Sequence, residues 1–192
     1  MPDARPRRLT PRVAAMLGSA GVLAVALSGC AGAPAPTPTP TVSASAAPIF
    51  ASDEEALAAA IEAYEAYSRV LNKIANENSG AADRIREVAT ASYSSDVEDL
   101  FADLTKRGLR IDGLTTVDSF KLVESAQVGG RAEVLLLVCS DVSGTRVINA
   151  EGRDVTPAER PARSALQVKF VTAAQGRALL VDEEDPWLGE YC

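Results

Sequence analysis

Prolines alternate with alanine and threonine in residues 31–49, which read AGAPAPTPTPTVSASAAPI. Proline lacks a backbone N–H and fixes its φ angle, so such a stretch favours extended polyproline II geometry over helix or sheet. The stretch has no charged or aromatic side chain and offers little surface for a core. We therefore predict a semi-rigid tether that extends up to about 60 Å. One folded domain is then expected over residues 50–192, which is long enough to bury a substantial core.

The segment before the tether has the pattern of an export signal. Four arginines precede an uncharged apolar run over residues 13–27. A membrane-spanning helix needs roughly 20 apolar residues, and this shorter run is interrupted by Gly18 and Gly21. We therefore predict a secretory signal peptide over residues 1–29.

Residues 27–30, LSGC, resemble the lipobox of bacterial lipoproteins. In that family the cysteine sulfur takes a diacylglyceryl group, the chain is cleaved before the cysteine, and its new α-amine is usually acylated. The resemblance implies that Cys30 anchors an exported protein in the lipid bilayer, at the outer face of the cell membrane. Residues 30–49 would then be the lipidated cysteine and its tether. The alternative is an ordinary soluble signal in which Cys30 is incidental, although the A-x-A-like cleavage pattern is absent just before it.

The net charge argues against a nucleic-acid partner. The whole chain has a net charge of −7, and removing residues 1–29, which carry four arginines and one acid, leaves −10. Residues 30–49 are uncharged, so this excess lies on the predicted domain. Such a surface repels nucleic acid, and we predict no nucleic-acid partner. The charge is otherwise typical of a solubilising surface.

The chain contains no histidine, which excludes Ser-His-Asp, Cys-His and H-E-x-x-H sites. We also find no glycine-rich phosphate loop and no C-x-x-C pair, and we predict no catalytic residue, metal site or cofactor. The acidic run at residues 182–185, DEED, lacks the alternating ligands and central glycine of a calcium loop. We interpret it as a solvated turn, and residues 141–144, DVSG, as a hairpin turn.

Helical patterns fill the first half of the predicted domain. Residues 52–55, SDEE, form a capping box, and apolar residues then recur at helical spacing until residues 76–80. A short helix is predicted over residues 82–90. A second capping box at residues 95–98, SDVE, predicts the start of a third helix, for which Gly108 suits the end.

Strand patterns fill the second half, at residues 115–123, 131–142, 146–148, 164–173 and 177–183. The apolar centre of residues 131–142 implies burial on both faces. Helices followed by an antiparallel meander predict an α+β fold with the helices on one face of a sheet.

Two cysteines remain besides Cys30: Cys139 in a predicted strand and Cys192 at the end of the chain. Two such thiols usually pair in an exported protein, and we predict a disulfide between them. It would stabilise the protein by up to about 4 kcal/mol by restricting the unfolded chain. The alternatives are two structural thiols, or one buried and one reactive.

The order of elements resembles the nuclear transport factor two-like cone fold, in which N-terminal helices pack on a strongly curved antiparallel sheet. More narrowly, residues 55–192 resemble small actinobacterial secreted lipoproteins, through IEAYEAYSRV at 61–70, VCSDVSG at 138–144, DVTP at 154–157 and the WLGEYC ending. The resemblance is informative about fold and location rather than activity. It implies a cavity between the first helix and the concave sheet, lined by Tyr64, Tyr67, Phe120, Phe170 and Trp187. For most of these rings we favour the alternative, plain packing in a filled core.

Two functions follow from this resemblance. The first is a binding domain for a small apolar ligand or an envelope protein partner, with the convex sheet face as another possible partner surface. The second is an enzyme like the cone-fold isomerases and dehydratases, which use a carboxylate and a tyrosine in an apolar cavity. Asp118 and Asp141 are candidate acids, and Tyr64 is a candidate donor. We favour binding; a buried carboxylate within hydrogen-bond reach of a tyrosine would favour the enzyme.

Overall fold

The computed structural model describes residues 47–77, 81–174 and 176–192. The predicted signal peptide, Cys30 and most of the predicted tether lie outside the described residues. The elements in chain order are α1 (Asp53–Glu77), a 3-10 helix (Ala82–Glu87), α2 (Ala91–Lys106), β1 (Arg110–Gly113), β2 (Thr116–Val128), β3 (Arg131–Asp141), β4 (Thr145–Ile148), β5 (Arg163–Thr172) and β6 (Leu179–Pro186). The α+β class is as predicted. No helix within the described ranges is both long and apolar enough to cross a membrane.

The N-terminus of α1 is capped as the sequence predicts. The backbone N–H of Glu55 donates to Ser52 Oγ at 3.3 Å, and the Glu55 carboxylate accepts from the backbone N–H of Ala51 at 2.6 Å. Ala56 and Ala60 are fully buried on the sheet-facing side of the helix. Because alanine adds only a methyl group, these positions let the first turns of α1 pack closely on the core.

The second predicted capping box is wrong, because α2 begins one turn earlier. Thr90 is the N-cap, and its Oγ1 accepts a hydrogen bond from the backbone N–H of Tyr93 at 3.4 Å. The backbone N–H of Thr90 is itself bound to the carbonyl of Val181 at 2.8 Å, so β6 holds Thr90 in the extended conformation that an N-cap requires. Ser95 therefore lies inside the helix. Gly108 has a φ of 66° just past the C-cap, as its sequence position predicts.

A four-stranded antiparallel sheet has the strand order β2-β3-β5-β6, and β1 pairs separately with β4. The registers Gly113↔Thr145 and Thr116↔Asp141 are nearly continuous, so β1 and β2 form one long strand with a kink between them. Gly113 is required at the kink. Its φ is 100°, and a Cβ added there would lie 2.0 Å from the carbonyl oxygen of Gly144.

Two asparagines of α1 bind the backbone of this kink. The Asn72 amide accepts from the N–H of Thr115 at 2.9 Å and donates to its carbonyl at 2.8 Å. The Asn76 amide makes the same pair of bonds to Gly113, at 3.1 and 2.7 Å. Because the two asparagines are four residues apart, they lie on one face of α1 and satisfy the backbone groups that the kink removes from the sheet ladder.

The core lies between α1 and one face of the sheet, where Val134, Leu136 and Val138 of β3 are buried. The opposite face of β3 is also covered: Leu137 and Cys139 are 7% and 1% exposed. At Cys139 this face lies under the C-terminal residue, because Cys139 forms the predicted disulfide with Cys192, with the two Cα atoms 5.7 Å apart. The predicted burial of β3 on both faces is therefore confirmed.

Candidate functional site

Four of the five aromatic residues predicted to line a cavity lie together where α1 packs on the sheet. The Tyr64 ring lies 5.7 Å from that of Tyr67, 6.3 Å from that of Phe120 and 6.2 Å from that of Phe170, centroid to centroid. Tyr64 and Tyr67 are 2% exposed, and Phe170 is fully buried. Much of the space in which the sequence predicts a cavity is thus occupied by the rings themselves.

Trp187 is not part of this group. Pro186 ends β6, and the chain then turns across the outer sheet face, where the backbone N–H of Trp187 donates to the carbonyl of Ala165 at 2.9 Å. The Trp187 side chain is 41% exposed. Its assignment to the lining of an interior pocket is therefore wrong, because the predicted hairpin strand ends before it and the chain leaves the core.

Glu184 reaches the aromatic group because β6 contains a bulge. Val181 pairs with Phe170, Glu183 with Lys169 and Glu184 with Val168, so one extra residue lies on β6 opposite Lys169. Asp182 is on the outer side, 3.3 Å from the Lys169 ammonium, while Glu184 is turned towards the core. The predicted solvated turn at residues 182–185 is therefore wrong, because these residues continue the strand.

A hydrogen-bonded cluster of tyrosines surrounds this carboxylate. The hydroxyl of Tyr64 donates to Glu184 Oε2 at 2.8 Å, and the hydroxyls of Tyr67 and Tyr93 are 3.2 Å apart. The Tyr93 ring lies 6.1 Å from that of Tyr67. We call Tyr64, Tyr67, Tyr93 and Glu184 the tyrosine–glutamate cluster. Tyr93 and Glu184 were missed in the sequence because the start of α2 and the bulge in β6 were not predicted.

Burial controls the protonation of the cluster. Loss of solvent raises the pKa of Glu184, the charge of Asp185 raises it further, and the hydrogen bond from Tyr64 opposes both effects. Burial, together with the charge of Glu184, also raises the pKa of each of the three tyrosines. The phenols therefore remain neutral donors at neutral pH, beside a carboxyl group that ionises less readily than one in water.

The two predicted acids do not meet Tyr64. Asp118 and Asp141 lie on the outer face of the sheet, where both Asp118 oxygens accept from Arg163 and Asp141 Oδ2 is 3.8 Å from the same guanidinium. The hydrogen bonds from Arg163, helped by Ser119, lower the pKa of Asp118 to about 2. Asp118 is therefore fully ionised at neutral pH and held by a cation, which is unsuited to the proposed role of general acid or base.

A groove of about 870 Å³ lies between the C-terminal ends of α1 and α2, with β1 along its third side. The lining carries charges of both signs. Asp83 of the 3-10 helix and Glu98 of α2 are acidic, and Lys106 at the end of α2 and Arg110 at the start of β1 are basic. Glu98 is bound by Arg86 at 2.6 and 2.7 Å. The larger apolar residues of the lining are Ile74, Phe101, Leu104, Leu109 and Ile111.

None of the residues predicted to line a pocket belongs to this groove. Phe101 and Leu104 are on the apolar stripe of the predicted third helix, but β1, which completes the groove, has no recognisable strand pattern in the sequence. Across residues 47–77, 81–174 and 176–192, no three His, Cys, Asp or Glu side chains are grouped closely enough to hold a metal ion.

No protein-family model and no curated protein sequence matches the chain. Fifteen chains of solved structures resemble it. One of these is the intermembrane space region of the chloroplast protein ARC6, with a TM-score of 0.50 and 11% sequence identity. The similarity covers 68% of this chain and 95% of that one. At this identity the chain is similar to ARC6 in its α+β fold alone.

Proposed function

We propose that this chain is a lipid-anchored, extracytoplasmic protein whose α+β domain binds a small apolar ligand or an apolar segment of an envelope protein through the groove. The groove is the observation that carries the proposal. Its volume of about 870 Å³ lies within the range of small-molecule sites, which combine apolar walls with a few polar groups. Phe101, Leu109 and Ile111 supply the apolar wall, and Lys106 and Arg110 supply polar groups beside it.

The location rests on the N-terminal sequence and on the disulfide. An apolar run followed by LSGC is the pattern of a lipoprotein signal, and a proline-rich tether after it would hold the domain away from the bilayer. A disulfide between Cys139 and Cys192 favours export, since such bonds persist mainly in oxidising compartments. We also propose that the domain belongs with the nuclear transport factor two-like cone folds, supported by helices packed on one face of an antiparallel sheet.

Replacing Cys30 by serine tests the anchor. The wild-type protein is expected in the detergent phase after phase partitioning, with an acylated N-terminal cysteine in its mass spectrum. The Cys30→Ser protein is expected to carry no acyl group and to keep residues 1–29, because it lacks the sulfur that accepts lipid before cleavage. A serine variant that is cleaved before residue 30 like the wild type, or a wild-type protein that begins at Met1 and carries no lipid, would contradict lipidation.

The groove is tested with residues 31–192, produced without the signal peptide and Cys30, and a fluorescent apolar probe, 8-anilinonaphthalene-1-sulfonate. We expect saturable binding that Phe101→Glu abolishes by placing a charge on the apolar wall, and that Ala102→Trp abolishes by filling the groove. Leu100→Glu is the matched control, because Leu100 is on the same helix, is 55% exposed and does not line the groove. Unchanged binding in both groove variants would reject the groove as the binding site.

The tyrosine–glutamate cluster supports a second candidate function, proton transfer next to a carbonyl group. A carboxylate with a raised pKa and a neutral phenol 2.8 Å away are the base and the hydrogen-bond donor that such chemistry requires. We rank this candidate second because Tyr64 is almost completely buried among other rings, whereas the groove is open. Isomerisation of a β,γ-unsaturated cyclic ketone that Glu184→Gln abolishes and Glu183→Gln preserves would support it.

A further inference from the structure

The last six residues form a strap, residues 187–192, across the outer face of the sheet. It is fixed to β5 by the hydrogen bond from the Trp187 N–H to the Ala165 carbonyl. The Tyr191 hydroxyl donates to the carbonyl of Ser119 on β2, and Cys192 is bonded to Cys139 on β3. The strap thus connects the end of β6 to three strands on the face opposite α1.

The strap covers an apolar strip without burying much apolar surface of its own. The residues of this face that the strap reaches are buried: Cys139 is 1% exposed and Ala165 is 8% exposed. The largest apolar side chains of the strap instead face solvent, Trp187 at 41% and Leu188 at 98% exposure. A short terminal segment with so few buried contacts opens at little cost in free energy. The covalent bond to Cys139 is therefore its main attachment.

The two sulfurs of this attachment differ in access. Cys192 is exposed at the end of the chain, whereas Cys139 is buried in the middle of β3. Because Cys192 is the exposed residue of the pair, we expect a thiolate from solution to attack the Cys192 sulfur rather than the Cys139 sulfur. Thiol–disulfide exchange requires this direct approach, because the attacking thiolate displaces the second sulfur of the bond.

We propose that the strap is a redox-operated cover, opened by a dithiol reductant and closed again by oxidation. One thiolate of the reductant attacks Cys192 Sγ, the Cys139–Cys192 bond breaks, and Cys139 leaves as a thiolate that takes up a proton. The second thiolate of the reductant then attacks the first sulfur of the reductant and breaks the mixed disulfide. Cys192 leaves as a thiolate, which also takes up a proton. The reductant leaves as a disulfide, having supplied two electrons.

Opening is confined to the outer face of the sheet. The core residues Val134, Leu136 and Val138 face α1, on the side of the sheet opposite the strap, so we expect the fold to be retained after reduction although the disulfide stabilises it. Release of the strap uncovers Cys139 and Ala165 and makes a buried thiol reachable. This device is independent of the proposed groove, which is lined by helix ends, β1 and the turn after β4.

The test uses the full mature protein before and after dithiothreitol treatment in native buffer. Iodoacetamide labelling is resolved by peptide mass spectrometry, carboxypeptidase digestion reports on the strap, and far-UV circular dichroism reports on the fold. We expect no labelling of the oxidised protein, labelling of both Cys139 and Cys192 after reduction, digestion of the strap and an unchanged spectrum. Trp187 is the chain's single tryptophan, so its fluorescence follows the opening.

Cys192→Ser and Tyr191→Phe separate the covalent bond from the other contacts of the strap. In native Cys192→Ser, we expect Cys139 to be labelled within about a hundredfold of its rate in the urea-unfolded variant. Tyr191→Phe keeps the disulfide and is expected to remain unlabelled and undigested. Slower labelling of Cys139, loss of the far-UV spectrum on reduction, or an opened strap in oxidised Tyr191→Phe would each overturn the proposal.

Discussion

The hydroxyl of Tyr64 in α1 donates to the carboxylate of Glu184 in β6, across 120 positions of sequence and a distance of 2.8 Å. The bond ties the helical layer to the last strand at a point where the surroundings of both groups are mostly aromatic rings. A carboxylate in such surroundings loses solvation, which the single hydrogen bond from Tyr64 only partly replaces. The protonation of Glu184 should therefore be linked to the stability of the fold.

The first prediction is that the free energy of unfolding depends on pH through the protonation of Glu184. Because folding raises the pKa of Glu184 above its ordinary value of 4.5, the contribution of this group to stability is complete below that value and is lost as the pH rises through the raised pKa. Glu184→Gln removes this titration. Its free energy of unfolding should therefore rise relative to wild type as the pH increases, and then stay at a constant difference.

Urea unfolding between about pH 4 and about pH 8 measures this difference. Glu183→Gln is the control, because it removes the same charge from the neighbouring exposed position. A Glu184→Gln profile parallel to that of wild type at every pH would contradict a raised pKa for Glu184.

The second prediction concerns Asn72. Replacement by alanine removes both hydrogen bonds to Thr115 and leaves its backbone groups unpaired beside α1, which should cost about 1–3 kcal/mol. Lys73→Ala, at the adjacent exposed position on the same helix, should cost much less. Chemical denaturation compares the two variants, and equal losses would mean that the asparagine pairing does not hold the kink.

Gly113 gives the third prediction. Gly113→Ala places a Cβ against the Gly144 carbonyl at a backbone conformation that already disfavours side chains. Gly129→Ala is the matched control: its φ is also positive, at 58°, but the added Cβ meets nothing within 4 Å. We expect a loss of about 1–2 kcal/mol for the control and a clearly larger loss or failure to fold for Gly113→Ala. Similar melting temperatures for the two variants would argue against the close approach.

The fourth prediction concerns Asp118 and Arg163. Since hydrogen bonds from Arg163 are the largest cause of the low pKa of Asp118, about 2, Arg163→Gln should raise that pKa towards its ordinary value of 3.8. Carbon-detected NMR titration of the side-chain carboxyl groups measures the change. Arg153→Gln is a control, because Arg153 pairs with Glu151 instead. A pKa of Asp118 that stays near 2 without Arg163 would show that the hydrogen bond from Ser119 suffices.

Much of the fold is predictable because it depends on patterns that are local in sequence. The capping residues of α1, the glycine after α2 and the apolar run of β3 each determine their own neighbourhood, and each lies where the sequence places it. The predicted start of α2 is wrong because SDVE at residues 95–98 is a capping box, whereas the true N-cap, Thr90, has no Glu or Gln three residues later. Thr90 prevails through a hydrogen bond to Val181, a partner 91 positions away that no local pattern reveals.

The candidate site was less predictable, because it depends on contacts between distant segments. Tyr64, Tyr67 and Phe170 were expected together, but the bulge in β6 decides which acid joins them. Simple alternation from Val181 places Glu183 inside, whereas the extra residue in β6 places Glu184 there. The groove depends likewise on β1, a strand of four residues whose pairing with β4 spans a long stretch of sequence.

The paired asparagines of α1 have a consequence for variation in this protein. Asn72 and Asn76 recognise main-chain atoms alone at Thr115 and Gly113, so the identity of the side chain at position 115 is free to change while the attachment persists. The helix thereby sets the path of the bent strand, and with it the position of Ile111 in the groove wall. Substitutions in the groove lining can therefore occur while the side chains of Asn72 and Asn76 hold the bent strand in place.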